Sequence, residues 1–316
     1  MADIVKIATR EGYGETLVEL GREHDNLVVL DADLAAATKT GMFKKAFPDR
    51  FINCGIAEAN MMGVAAGLAS TGKVVFASSF AMFAAGRAFE QIRQSLAYTN
   101  LNVKVGASHA GISVGEDGAS HQCCEDIAIM RSIPGMTIIN PADNVEAKLA
   151  VRAAYATPGP MYLRFGRLPV PIVFDEFYKF TIGRGVMLKD GSNVTIIATG
   201  LMVERALIAY EKLKAMGIKA RVINMSTIKP IDKEIVLSAA RDTGCIVTTE
   251  EHNIIGGLGS AVAETVSEAY PVPVVRHGVN DEYGKSGAAL ELLELFKLNS
   301  DGIIEKVKKA MVLKKQ

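Results

Sequence analysis

Short β-branched runs alternate with longer stretches of helical periodicity along nearly the whole chain, and this alternation restricts the fold more than any other feature. In the first half the runs at 27–30, 74–77, 103–106, 137–140 and 161–165 predict strands. Helical patterns at 10–24, 56–70, 82–97, 125–132 and 144–156 lie around and between them. Strands joined by helix-length crossovers run parallel, so the pattern predicts a parallel sheet covered on both faces. The stretch Leu168-Pro-Val-Pro-Ile-Val-Phe-Asp-Glu-Phe-Tyr-Lys interrupts it with two prolines. A second alternation follows, with strands at 194–198, 220–224, 245–249 and 272–276 and helices at 203–216, 233–243 and 258–270. The expected organisation is two tandem three-layer α/β domains with mainly parallel sheets: a first domain over 1–170, a linker over 171–189 and a second domain over 190–316. A length of 316 residues suits two domains of about 150 residues each.

Charge and composition exclude several classes. The 35 basic and 35 acidic side chains cancel, and the only basic cluster is the tail Lys308-Lys309 and Lys314-Lys315, which suits the carboxyl end of a last helix. Neither nucleic acid nor a membrane surface is an expected partner. The first residues lack the basic-then-apolar layout of a signal peptide. Residues 54–86 are apolar but broken by Glu58, Asn60 and Lys73. The four cysteines show no C-x-x-C spacing, so no disulfide framework or zinc site is expected. These features describe a soluble, cytoplasmic chain. Its hydrophobic content of 49% suits a well-buried core and leaves room for a large subunit interface.

Several residues could carry chemistry. Glu58 opens an apolar helix in Asn53-Cys-Gly-Ile-Ala-Glu58-Ala-Asn-Met-Met-Gly63. A carboxylate in a first turn is favoured by the helix dipole alone, by about 0.3–1 kcal/mol. Beside Ile56, Met61, Met62 and Val64 it would also be desolvated, a setting that favours a proton-sharing carboxyl. Such a group is what the N1′ nitrogen of an aminopyrimidine needs before the ring can draw a proton from a neighbouring thiazolium. Phe80 and Phe83 follow a strand; they suit ordinary core, or a flat wall for such a ring. The segment His109-Ala-Gly-Ile-Ser-Val-Gly-Glu-Asp117-Gly-Ala-Ser-His121-Gln places two of the chain's five histidines and an aspartate on a glycine-rich loop suited to sugar hydroxyls. Arg10 and Arg164 are candidates for a phosphate clamp. Glu250-Glu-His252-Asn-Ile-Ile-Gly-Gly-Leu-Gly-Ser260 leads from strand to helix, and its helix start could bind an anion of unassigned identity.

Taken together, these segments resemble the carboxyl-terminal half of transketolase, from Arg10 nearly to the chain end. Gly-Glu-Asp117-Gly-x-x-His121-Gln, Ile133-Pro-Gly-Met, Pro141-Ala-Asp and Asp31-Ala-Asp33-Leu carry the match. The resemblance implies a pyrimidine-binding domain followed by a transketolase carboxyl-terminal domain. It makes Glu58 the proton-sharing catalytic glutamate and lets Phe80 and Phe83 line the pyrimidine pocket, with Asp33 near the thiazolium. It assigns Arg10, His109 and Arg164 to a sugar phosphate, and Asp117 and His121 to sugar hydroxyls, His121 also acting in catalysis. The chain departs from the family at Gly86, where a third aromatic is common, and at Ala37, where a serine often helps hold phosphate and where Thr38 is the neighbouring substitute. Ala119 and Cys123 stand in place of loop prolines.

The chain has no Gly-Asp-Gly with a downstream Asn that would hold magnesium and a diphosphate. The resemblance therefore implies a split enzyme that needs thiamine diphosphate and Mg2+ (or Ca2+). Their metal and diphosphate ligands would come from a separate amino-terminal transketolase subunit, with two copies of each chain and sugar phosphates as substrates. The alternatives are a 1-deoxy-D-xylulose-5-phosphate synthase fragment, a 2-oxo acid dehydrogenase beta subunit, or a non-catalytic scaffold of the same fold. Paired histidines around Gly-Glu-Asp-Gly and the Arg-Phe-Gly-Arg-Leu-Pro segment favour transketolase, and Glu58 argues against a scaffold.

Overall fold

The computed structural model describes residues 5–315. Its strands are β1 (Lys6–Ala8), β2 (Leu27–Asp31), β3 (Phe51–Asn53), β4 (Val74–Phe80), β5 (Val103–Ser108), β6 (Thr137–Ile139), β7 (Met161–Arg164), β8 (Pro169–Pro171), β9 (Val186–Lys189), β10 (Val194–Ala198), β11 (Ala220–Asn224), β12 (Thr227–Lys229), β13 (Ile246–Asn253) and β14 (Val274–Val279). They form a seven-stranded sheet in the order β12-β6-β7-β5-β4-β2-β3 and a five-stranded sheet in the order β14-β13-β10-β11-β9. β1 and β8 make a separate antiparallel pair. All strand pairs of the two large sheets are parallel except those made by the edge strands β12 and β9. β2, β4 and β5, all interior strands of the first sheet, are buried along their whole length, as two-sided packing requires. The architecture is the expected pair of tandem α/β domains.

Helices cover both faces of each sheet. In the first domain, Leu17 and Leu20 of the Thr9–Glu23 helix pack with Val151 and Ala154 of the Asn144–Ala156 helix on one face. Met61, Met62 and Ala65 of the Glu58–Ser70 helix pack with Ile92 and Leu96 on the other. In the second domain the cores lie between the sheet and the Met202–Ala215 and Ser300–Leu313 helices on one side. The Lys233–Thr243 and Leu258–Ala269 helices cover the other. No helix among the described residues is long and apolar enough to cross a membrane.

Three features differ from the sequence expectation. Residues 82–97 keep a helical course but open into wide turns at Met82–Arg87 and Ile92–Ala97, where Tyr98 donates to the carbonyl of Arg93, five residues back. Such insertions re-aim side chains, and this one follows directly on Phe80. The expected linker is partly strand: β9 pairs antiparallel with β11. Residues 173–174 are also held, because the Asp143 carboxylate that caps the Asn144–Ala156 helix accepts their amides at 2.6 and 2.9 Å.

The third difference unites the two domains. β12 belongs to the second domain by sequence, yet it pairs antiparallel with β6 and completes the edge of the first sheet. Ile228 within it is buried in the first domain's core. In return, Ile112, Cys124 and Ala142 of the first domain sit in the second domain's core. Ile228→Ala therefore costs about 2–5 kcal/mol. The loss appears as a lowered urea midpoint, together with faster amide exchange in β6 even though the substitution lies in the other domain's sequence.

Candidate active site

The candidate residues gather at the carboxyl ends of the first sheet's parallel strands, where α/β folds place ligands. β2 ends in Asp31, a fully buried carboxylate that accepts the Leu34 amide at 2.5 Å and the hydroxyls of Thr38 and Thr40 at 2.7 and 2.8 Å. Burial raises its pKa, and these three donors work against the rise. Thr38 is thus committed to Asp31, which corrects the expectation that it could stand in for serine on a phosphate. The bonds shape the following loop. Asp33 adopts a left-handed backbone (φ 66°) and exchanges hydrogen bonds with Asn53, at 3.1 Å from its amide and 2.8 Å to its carboxylate.

Arg10, at the start of the first helix, donates to the Ala37 carbonyl at 2.8 Å and lies 3.1 Å from His109 Nε2. A guanidinium has no acceptor, so Nε2 accepts and the ring proton resides on Nδ1, which donates to Ser108 Oγ at 2.9 Å. Burial and then the positive charges of Arg10 and Arg167 depress the His109 pKa to about 3, so the imidazole is neutral at physiological pH. Its ring stacks on Phe80 at 3.9 Å between centroids. Phe80 stacks on Phe83 at 6.0 Å, and His121 meets the edge of Phe83 at 5.1 Å. Arg10, His109, Phe80, Phe83 and His121 form one continuous row.

Glu58 lies beside that row. It begins the Glu58–Ser70 helix and is only 3% exposed. Its polar neighbours are the Ser79 hydroxyl at 3.5 Å and the more exposed Arg87 guanidinium, also at 3.5 Å. Arg87 lies over the Phe83 ring, 4.5 Å from its centroid. A buried carboxyl with two distant partners, next to a stacked aromatic pair, fits the proton-sharing edge and the flat face of an aminopyrimidine ring. At Gly86, where a third aromatic was expected to be missing, an added methyl would lie 2.6 Å from Met82 Cε, so the Met82 side chain occupies that side. Asp117 is exposed. Among the described residues no three His, Cys, Asp or Glu side chains cluster as a metal site.

Two further sequence expectations are corrected. Arg164 does not line the cavity beside Arg10: it is 3% exposed, and its Nε and Nη2 are held in the interior. Its guanidinium bonds Asp126 at 2.8 and 3.2 Å and the Glu251 carbonyl at 2.9 Å, while Tyr162 donates to the same Asp126 carboxylate at 2.8 Å. The arginine that reaches the site is Arg167. With Arg10, Glu11, Glu116 and Lys6 it lines a cavity of about 430 Å³. The available signal was position, since Arg164 is the last residue of β7 whereas Arg167 lies beyond the strand's carboxyl end. The second correction concerns the glycine-rich helix start. Glu250 itself supplies the anion, accepting the Leu258 and Gly259 amides at 2.7 and 2.8 Å.

The fold is that of a pyrimidine-binding domain followed by a carboxyl-terminal domain. The family models for the transketolase pyrimidine binding domain and the transketolase C-terminal domain match residues 5–172 and 183–303, and the chain belongs to the transketolase family. It is 53% identical to "Putative transketolase C-terminal section" of Methanocaldococcus jannaschii, covering 96% of both chains. It is 45% identical to a 6-deoxy-6-sulfo-D-fructose transketolase subunit of a Clostridium species, over 93% of this chain and 92% of that one. Against rat transketolase the identity is 41% over 96% of this chain but only 49% of the relative, so the chain spans about half of that protein. Among solved structures, a split gene transketolase described as an inactive beta4 tetramer superposes with a TM-score of 0.90 at 52% identity, covering 98% of this chain and 100% of that one.

Arg164→Leu strands the Asp126 carboxylate in the core and lowers stability by about 3–5 kcal/mol in urea unfolding. Arg167→Leu, at a half-exposed position, changes stability by less than about 1 kcal/mol in the same measurement. The depressed His109 pKa has a defined sign as well. Its contribution to stability is complete above about pH 6.5 and is lost as pH falls toward 3, because the unfolded chain takes up the proton first. A His109→Asn variant flattens the urea-midpoint profile across that interval.

Proposed function

We propose that this chain is the carboxyl-terminal subunit of a split, thiamine diphosphate-dependent transketolase that moves a two-carbon ketol unit from a ketose phosphate to an aldose phosphate. The observation that carries the proposal is the under-bonded, buried Glu58 carboxyl beside Phe80 and Phe83, continuous with the row that ends at Arg10. When bound, the cofactor supplies a carbon nucleophile. Glu58 shares a proton at the pyrimidine's N1′ edge, and the two phenylalanines hold the ring flat and exclude water. Arg10 and Arg167 supply guanidinium donors for the substrate's terminal anion. The neutral His109, held as an acceptor, orients Arg10. Asp117 and His121 would bond sugar hydroxyls, His121 would also move a substrate proton, and Asp33 would help hold the cofactor's thiazolium.

The diphosphate and its Mg2+ (or Ca2+) require a second chain, an amino-terminal transketolase subunit, assembled as two copies of each. Support comes from relatives of similar length that are themselves named as subunits or sections. Relatives named for 6-deoxy-6-sulfo-D-fructose and apulose-4-phosphate show that the sugar varies within the family. A paired-arginine cavity suits a terminal phosphate or sulfonate equally well.

The test is ketol transfer from xylulose 5-phosphate to ribose 5-phosphate by this chain with and without its co-purified partner, with magnesium and thiamine diphosphate present throughout. Activity is expected only in the complex. Glu58→Gln should lower kcat at least a hundredfold while the complex still assembles, the scale of a lost proton-transfer group. Turnover by the pure chain alone, or unchanged activity in Glu58→Gln, would refute the proposal.

A further inference from the structure

The loop that carries His109, Asp117 and His121 has its other side against the second domain, which approaches its backbone closely at two glycines. Glycines 111, 115 and 118 all adopt positive φ, at 84°, 89° and 72°. A methyl group at Gly111 would collide with the Glu251 carboxyl, and one at Gly118 with the Ser286 hydroxyl. At Gly115 the nearest atom would be Arg167 Nη1 of the first domain, at 3.2 Å, while the Gly287 carbonyl and Ala289 Cβ would lie at an ordinary contact distance of 3.5 Å. Gly111 and Gly118 therefore admit the second domain to the loop's back. Between them, Ile112 is fully buried in the second domain's core together with Leu292 and Leu293. Gln122 closes the loop by donating Nε2 to the Lys285 carbonyl at 2.8 Å and to the Ile112 carbonyl at 3.0 Å.

Glu251 is the centre of this contact. Its Oε1 accepts the Ser113 amide at 2.6 Å, while its own backbone carbonyl accepts from Arg164 at 2.9 Å. The side chain is 4% exposed and comes from β13, a central strand of the second sheet. We infer that Glu251 is a positioning residue, and that the second domain holds the 109–122 loop through it so that His109, Asp117 and His121 keep their places on the opposite, substrate-facing side. This rests on the function proposed above for those three residues and assigns the second domain a part in substrate binding. What matters in Glu251 is reach: the acceptor must extend far enough to meet the Ser113 amide. Glu251→Gln keeps the reach and drops the charge. Glu251→Asp keeps the charge and shortens the side chain by one carbon.

Two measurements on these variants test the inference. In the full chain, hydrogen–deuterium exchange of peptides spanning 109–122 should rise at least tenfold in Glu251→Asp and Glu251→Ala and stay close to wild type in Glu251→Gln, with β10 protected in all of them. In the complex with its amino-terminal subunit, KM for the sugar phosphate should rise at least tenfold in Glu251→Asp with kcat changed less than threefold, and Glu251→Gln should restore it. Unchanged loop exchange in Glu251→Asp would overturn the inference. So would the reverse order, with Asp rescuing and Gln failing, because charge against Arg164 would then be the operative property. Should Glu251→Ala not fold, the Asp and Gln pair decides alone. The exchange result needs no turnover, so an enzyme without ketol transfer would fail the proposed function while leaving the bracing of the loop separately decided.

Discussion

A guanidinium buried at the seam between two domains must satisfy its donors from whatever surrounds it, and in this chain Arg164 draws them from both sides. Asp126, at the start of the Asp126–Arg131 helix, takes two of its bonds, and the Glu251 carbonyl of β13 takes a third. Tyr162 adds a donor to the same carboxylate. Isolated charges in a dry interior are expensive, so the arrangement tolerates little displacement of either domain. Around it the two sheets exchange elements: β12 completes the first sheet, and Ile112, Cys124 and Ala142 enter the second core. The two domains are successive in sequence but interleaved in space.

The candidate site depends on that interleaving. Its row of side chains runs from Arg10 on the first helix through His109 and Phe80 to Phe83 and His121, with His109 and His121 on the loop that leaves the carboxyl end of β5. Loops of this kind are held only by what packs behind them. Asp31 holds one of them with a buried carboxylate and three donors, and the second domain packs behind another. Within the row, the neutral state of His109 follows from burial and from neighbouring guanidinium charge, so a residue that titrates in water near neutrality serves here as a fixed acceptor.

Much of the architecture was legible from periodicity. The long helices and the parallel strands appear close to their expected positions, because hydrophobic patterns over ten or more residues leave little choice of element. The edge strands β9 and β12 were not legible. Each has three or four residues, runs antiparallel, and gains its strand conformation from the sheet edge it meets. Arg164 and Arg167 could not be separated by residue type, since both are arginines near the end of β7 and burial alone assigns one to Asp126. The Glu250 carboxyl likewise turned an apparent anion site at a helix start into an internal cap, through a contact made eight residues along the chain.

The order of elements, the two-domain α/β class and the chemical types at the site are properties of the sequence, because local pattern and residue chemistry act over short stretches of chain. Which arginine faces solvent, which carboxylate stays under-bonded and which side of the glycine-rich loop is free were decided by folding in three dimensions. Those outcomes turn on desolvation and close approach between residues distant in the chain, from Arg164 and Asp126, 38 positions apart, to Ser113 and Glu251, 138 apart, and no local pattern encodes that proximity.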